Sequence, residues 1–309
     1  MAFFAMQTYK FYPLDRFGDR TANEELQARR SDLQSAKRGE AGVLALIEAS
    51  WLEHAKANRA KEDRASILES ACRYLVLAQH ATMGDAEPAE PPEKADKAAE
   101  YYHFAANELR RIDLLERSAQ AYFNAGVQAL RVTQTAKRSG DTTSATFELG
   151  MRSAGRARSM FDSLGEDEKA DLAHTLRLDL QSRKRRLEDD CLEYSLLAIW
   201  GGLTRYGTSP SRWLGTLVLA LIGMTVVYWI FCSSEPPPNG ALVPALQLHN
   251  GLGANSMVTA PFLSIVNLFA FGAYTNVTPQ NWVGQLVLLI QSFVSFFWLG
   301  TGVTFLTRR

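Results

Sequence analysis

The sequence predicts an all-α protein in two unlike halves, a polar helical half followed by a membrane half, and three observations carry the prediction. Apolar residues recur at threes and fours through the first 186 positions, with no alternating strand pattern to compete. Two uncharged runs, 213–232 and 283–306, are each long enough as helices to cross about 30 Å of hydrocarbon. Charge follows the same division: 33 acids and 33 bases cancel over 309 residues, yet from Trp213 onward the charged side chains are Glu235, Arg308 and Arg309. The expected organisation is a cytoplasmic helical domain over 1–186, a juxtamembrane linker over 187–212 and a two-span domain over 213–309.

In the first half, Thr21 with Glu24 has the spacing of a capping box, which predicts a helix over about 22–38. Val43, Leu44, Ile47, Trp51 and Leu52 mark the apolar face of a second helix, and Ile67, Leu68, Ala71, Cys72, Leu75 and Val76 that of a third. Prolines and acids make 84–92 a loop. Helical spacing resumes at Tyr101, Tyr102, Ala105, Ala106, Leu109 and Ile112. Here Ala106, Leu109, Ser118, Tyr122 and Ala125 resemble the small and aromatic positions of a tetratricopeptide-type helix pair. A second approximate unit spans 126–155, with Ser139-Gly140-Asp141 as its break and Phe147, Met151 and Ala154 as its packing face. An irregular alanine-rich bundle accounts for the same residues.

Leu164-Gly165-Glu166 interrupts the pattern. A long helix then carries Leu172, Leu176, Leu180, Leu187, Cys191 and Tyr194. Its run Arg183-Lys184-Arg185-Arg186 reads either as a contact for anionic lipid or as a helix face paired with Glu188, Asp189 and Asp190.

Zero net charge points to no nucleic-acid partner. Cys72, Cys191 and Cys232 match no zinc or disulfide spacing and read as reduced packing residues. The opening MAFFAMQTYK lacks a basic region followed by a long apolar core, so it does not read as a secretory signal. His54, His80, His103 and His174 sit on separate predicted helices, and there is no HExxH, no phosphate-binding glycine loop and no GxSxG elbow. Enzymatic activity, catalytic residues, a resident cofactor and a metal site are therefore not expected.

In the second half, Thr208-Ser209-Pro210 starts the first span, and Trp213, Tyr228 and Trp229 suit the membrane interfaces. Arg205 and Arg212 precede that span and Arg308 and Arg309 follow the second, while the segment between the spans has no lysine or arginine. By the positive-inside rule both termini are cytoplasmic, in a cell (inner) membrane, with 233–282 outside. Proline and glycine make 233–255 a turret loop. From Pro261 to about Ala270 the chain is apolar and helical but too short to cross. The irregular backbone after it is tolerated at membrane depth only when buried in protein or lining a cavity.

These features resemble the two-transmembrane, pore-loop potassium-channel family. Phe262-Leu263-Ser264-Ile265-Val266 is similar to that family's pore-helix start, Val277-Thr278-Pro279 to its post-filter turn, and Pro279 with Gly284 five residues on to its entry into the inner helix. Tyr206, Gly207, Pro210 and Arg212 match the YGxSPxR entry to the outer helix of bacterial members, so the resemblance covers about 196–309. It implies a homotetramer in the lipid bilayer with a permeant potassium or sodium ion, and places Ala270, Phe271, Gly272, Ala273, Tyr274, Thr275 and Asn276 at the filter. Tyr206, Gly207, Pro210 and Arg212 then couple the soluble half to the pore.

The family filter reads Thr-Val-Gly-Tyr-Gly-Asp. Here Ala270-Phe271-Gly272 and Tyr274-Thr275-Asn276 align with its two halves, with Ala273 inserted. Thr275 replaces the second glycine, where positive φ is costly for a β-branched residue, and Asn276 replaces the acid. Altered or lost potassium selectivity is the expectation. Gly300 and Gly302 read as a gating hinge or as small residues for close packing. Gln285, Gln291, Ser292 and Ser295 imply a face that meets a cavity or another subunit. Asn276-Val277-Thr278 is formally a glycosylation sequon, and modification is not expected there.

The functional expectation is a tetrameric cation channel gated by its cytoplasmic helical domain, which binds an unidentified ligand or protein. The alternatives are a membrane-anchored helical adaptor with a non-conducting, channel-like anchor, and an effector that depolarises the membrane when triggered.

Overall fold

The computed structural model of the chain describes residues 9–14, 17, 19–37, 41–58, 63–83, 92–135, 140–204, 208, 210–233, 243–248, 259–269 and 277–307. These form eleven helices and three strands of two or three residues, so the protein is all-α. It divides into two compact units, Met1–Ile199 and Trp200–Arg309. The division falls within the segment read from the sequence as the linker.

The first unit contains α1 (Arg20–Lys37), α2 (Ala41–Asn58), α3 (Arg64–Met83), α4 (Pro92–Arg111), α5 (Leu115–Thr135), α6 (Gly140–Ser163), α7 (Asp167–Leu187) and the start of α8 (Cys191–Thr204). The cap of α1 differs from the expectation. Asp19 takes that role, its carboxylate accepting the Thr21 N–H at 2.8 Å, while Glu24 pairs with Arg20. A carboxylate one residue before the helix reaches the free donors of the first turn and starts it ahead of Thr21. Asp63 caps α3 in the same way through the Ala65 N–H at 2.9 Å.

From α3 to α7 each helix packs on the next, and α4 also touches α6 and α5 touches α7, which is a stack of helical hairpins. The corners share one device. After α4, Leu114 N–H donates to Leu109 O and Asp113 N–H to Arg110 O, with Asp113 at φ 60. After α6, Glu166 N–H donates to Phe161 O and Gly165 N–H to Asp162 O, with Gly165 at φ 73. This left-handed closure satisfies the last carbonyls of one helix and reverses the chain.

The residues that carry the tetratricopeptide resemblance, Ala106, Leu109, Ser118, Tyr122 and Ala125, are all fully buried between α4 and α5. The Ser118 hydroxyl donates to Ala106 O at 2.7 Å, a distance open only to small residues at that crossing. The second pair expected over 126–155 is α5–α6: α6 starts at Gly140, within the expected break, and Phe147, Met151 and Ala154 pack into the core, but the helices extend beyond Gly126 and Gly155, which lie inside α5 and α6. Gly126 is there for close approach, since a Cβ on it would stand 2.9 Å from Leu176 Cδ2.

The basic run of α7 is paired within the chain. Lys184 reaches Glu148 at 3.2 Å, Arg185 reaches Glu188 at 3.1 Å and Glu193 at 2.8 Å, and the Arg186 guanidinium lies 5.8 Å from the Tyr194 ring centre. Glu148 and Glu193 thus join Glu188 in the pairing; Asp189 at φ 57 lies in the turn into α8, and the Asp190 carboxylate accepts the Glu193 N–H at 3.2 Å.

The second unit holds α9 (Pro210–Phe231), β1 (Cys232–Ser233), β2 (Leu246–Leu248), α10 (Thr259–Phe269), β3 (Val277–Pro279) and α11 (Trp282–Thr307). Two of its helices, over Ser211–Phe231 and Trp282–Val303, are long and apolar enough to cross a membrane. β2 pairs in parallel with β1 and antiparallel with β3, in register Leu246 with Pro279 and Leu248 with Val277. The expected turret is thus corrected in its middle. Ala245, Leu246 and Leu248 are buried, and the two leucines pack with Leu263, Val277 and Val287, because their apolar alternation outweighs the prolines and glycines around them.

Candidate functional site

The candidate site is the arrangement of α9, α10 and α11. α10 has eleven residues, too few to cross a bilayer, and packs against both α9 and α11. Its inward face combines apolar Ala260 and Leu263 with polar Thr259, Ser264 and Asn267. The hydroxyls of Ser264 and Thr225 lie 3.1 Å apart, and Asn267 Nδ2 donates to Tyr228 Oη at 2.6 Å. The Ser295 hydroxyl, on α11, sits 2.9 Å from Gln291 O and 3.2 Å from Asn267 O. Thus α10 is tied to α9 by side chains and to α11 through the Asn267 carbonyl, next to the end of the helix at Phe269.

Two expectations about polar residues change here. Tyr228 is fully buried and bonded to Asn267, so it is an internal contact rather than an interface residue. Of the four polar positions in α11, Gln291 and Ser295 face inward with Gly284, Val287 and Trp298, and only Gln285 is exposed, Ser292 being half-buried. The reason is the 3.5-residue spacing of 284, 287, 291, 295 and 298, which carries two polar residues onto the packing stripe. Asn267 Oδ1 and both amide atoms of Gln291 are buried with no partner among the described residues. The outward faces of α9 and α11 are apolar, with Leu219, Ile222, Trp229, Phe293 and Phe296 exposed.

The glycines of this unit separate into different roles. A Cβ on Gly284 would stand 2.2 Å from Ala245 O, the carbonyl that accepts the Gln280 N–H at 2.9 Å, so α11 begins in direct contact with the backbone before β2. A Cβ on Gly302 would meet the Trp213 ring at 3.3 Å, where the Trp213 indole N–H also donates to Thr301 Oγ1 at 2.9 Å and its ring meets Trp298 edge-on at 5.9 Å. Gly302 is a packing residue. Gly300 has open space around it, and both glycines lie within the unbroken helix α11.

The filter candidates Ala270, Phe271, Gly272, Ala273, Tyr274, Thr275 and Asn276 lie outside the described residues, as do Tyr206 and Gly207. Pro210 opens α9 and Arg212 is exposed in its first turn. Of the five histidines, the four among the described residues stand apart on α2, α3, α4 and α7. His54 is exposed, His80 is 3.9 Å from Glu48, His103 Nδ1 is 2.8 Å from Ser153 Oγ, and Arg158 donates to His174 Nδ1 at 3.0 Å. Among the described residues no group of three His, Cys, Asp or Glu side chains is placed to hold a metal. Sequence reasoning missed the α10 contacts, although Ser264 and Asn267 stand three apart in a helix that is apolar after Thr259 and so mark a shared face.

Comparison with family models, with curated proteins and with solved structures returned no match.

Proposed function

We propose that the chain is a channel-like membrane protein in which α9 and α11 span the bilayer, α10 and the residues after it form a pore hairpin, and the helical unit gates it. The observation that carries this reading is α10, a helix too short to cross, seated against α9 through the buried Ser264, Tyr228 and Asn267 side chains and the half-buried Thr225, and against α11 through the Asn267 carbonyl. Polar groups at that depth are costly in hydrocarbon, and an element that merely anchored the chain would have no use for them. The hairpin needs several copies around an axis to enclose a path, so a homotetramer follows, with potassium or sodium as the permeant cation. The arginines flanking the spans, at 205, 212, 308 and 309, favour an orientation with both ends of the membrane unit in the cytoplasm, in a cell (inner) membrane. The helical unit would act on the pore through α8, which runs across the boundary between the two units, and the outer span.

A second reading is favoured by the residues at the filter. Thr275 and Asn276 stand where the channel family has glycine and an acid, which suits a non-conducting anchor that presents the helical unit as an adaptor. Purified protein separates the two. A tetramer that passes potassium or sodium into liposomes supports the channel, whereas a monomer in mild detergent that passes neither supports the adaptor.

A further inference from the structure

Residues 9–14 and 17 adopt neither helix nor strand, yet they lie against α4–α7 and α1 under an unusual degree of side-chain control. Asn124, on α5 and 1% exposed, spends both ends of its amide on one residue: Oδ1 accepts the Tyr12 N–H at 2.8 Å and Nδ2 donates to Tyr12 O at 3.0 Å. Asn23 on α1 does the same five residues later, accepting the Phe17 N–H at 2.5 Å and donating to Phe17 O at 2.7 Å. Pro13 biases Tyr12 to an extended conformation, in which both backbone groups are free to be read.

The side chains are held with equal specificity. Phe11 stacks on Tyr102, with the Arg131 guanidinium 4.3 Å from its ring centre. Tyr12 meets Phe123 edge-on at 5.0 Å, with the Lys169 ammonium 5.8 Å from its ring centre. Tyr9 donates its hydroxyl to Asp179 at 2.5 Å, and Leu14 is buried. Each of these contacts runs from a helix side chain to the backbone, ring or hydroxyl of a segment that is neither helix nor strand, which is how a folded domain reads a peptide. A tail that only covered apolar surface would need neither a buried asparagine committed to its backbone nor cations seated on its rings.

We propose that the groove along α4–α7 is a binding site for an extended aromatic–aromatic–proline–aliphatic segment of a partner protein, and that Phe11-Tyr12-Pro13-Leu14 occupies it here as an internal ligand. Partner engagement then requires that the chain's own segment leave. The inference stands whether or not the membrane unit conducts.

The test uses the full chain with a protease site inserted between Gly18 and Asp19, purified in detergent and cut. The cut protein keeps its helicity, loses the segment on dilution, and rebinds a fluorescent peptide of residues 9–17 with a dissociation constant on the order of micromolar. Asn124→Ala weakens that binding about tenfold or more, since two hydrogen bonds to a buried amide are lost. The uncut chain binds the added peptide at least about tenfold more weakly than the cut chain, because the tethered copy competes at an effective concentration on the order of millimolar. Loss of helicity on cutting, or equal binding of a scrambled peptide, overturns the proposal. On the uninserted chain, Asn124→Ala accelerates amide exchange in residues 9–17 while α4–α7 keep their protection. Joint loss of protection from the helices would make the segment an integral part of the fold and would also overturn the proposal.

Discussion

Gly284→Ala tests whether the start of α11 rests on the backbone before β2. The added methyl carbon would lie 2.2 Å from Ala245 O, 3.1 Å from Ala245 C and 3.2 Å from Leu246 Cδ2, against an ordinary contact of 3.4 Å or more. Backbone, not a flexible side chain, is what it meets. α11 and Ala245 must separate by more than about 1 Å, in an interior packed too closely to absorb it. That displacement strains the Gln280–Ala245 hydrogen bond, worth about 0.5–1.5 kcal/mol, and adds an overpacking cost of about 1–3 kcal/mol. Alanine returns about 0.5–1 kcal/mol of helix preference. The net effect is a destabilisation of about 1–3 kcal/mol. In detergent, the thermal midpoint of the membrane unit, followed by tryptophan fluorescence, falls by about 4 °C or more. Gly300→Ala, where nothing lies within 4 Å, is neutral or slightly stabilising in the same assay. If the two variants melt together, Ala245 does not lie against α11 and the packing described for β2 is wrong.

Three further outcomes follow from individual groups. Gln291→Leu removes an amide that is 1% exposed with both polar atoms unpartnered among the described residues, so the thermal midpoint of the membrane unit rises; a fall would show that the amide is bonded in the assembled protein. Burial pushes the Cys72 thiol up to about 12, which leaves almost no thiolate near neutral pH, whereas Cys191 is exposed. Mass spectrometry after brief maleimide treatment of the folded protein should therefore find Cys191 labelled and Cys72 unlabelled. Burial, and for Glu100 also the neighbouring Asp96, raises both carboxyls above their ordinary values. Each then favours the folded state more when protonated. Stability from this pair is gained as pH falls through the raised folded values, is complete below the ordinary carboxylate range, and is lost as pH rises again. Asp96→Asn removes part of that dependence, as read by circular-dichroism melts across mildly acidic to neutral pH.

The helical character of both halves was legible because burial imposes a periodicity that survives without tertiary information. The α4–α5 pair shows this best: Ala106, Leu109, Ser118, Tyr122 and Ala125 were readable as a crossing because only small side chains permit a hydroxyl-to-carbonyl contact between helices. Other features depend on partners distant in sequence. Tyr228 looked like an interface aromatic until Asn267, 39 residues on, supplied its hydrogen bond. Ala245–Leu248 looked like loop because β1 and β3, which give its backbone partners, are separated from it by prolines and by a helix. Asn124 reads locally as an ordinary polar helix residue, and its role appears only with Tyr12, 112 positions earlier. The α1 cap was misassigned for a simpler reason: Asp19 and Thr21 are both good capping residues, and spacing alone does not choose between them.

Planar-bilayer recording of the full chain, with potassium and sodium exchanged across the membrane and with residues 1–186 present or removed, is the most direct test of the proposed function. Unitary currents carried by a monovalent cation are expected, with weak discrimination between the two ions and an open probability that changes when the helical unit is removed while the membrane unit still inserts. Insertion without current in both forms would contradict the proposed function.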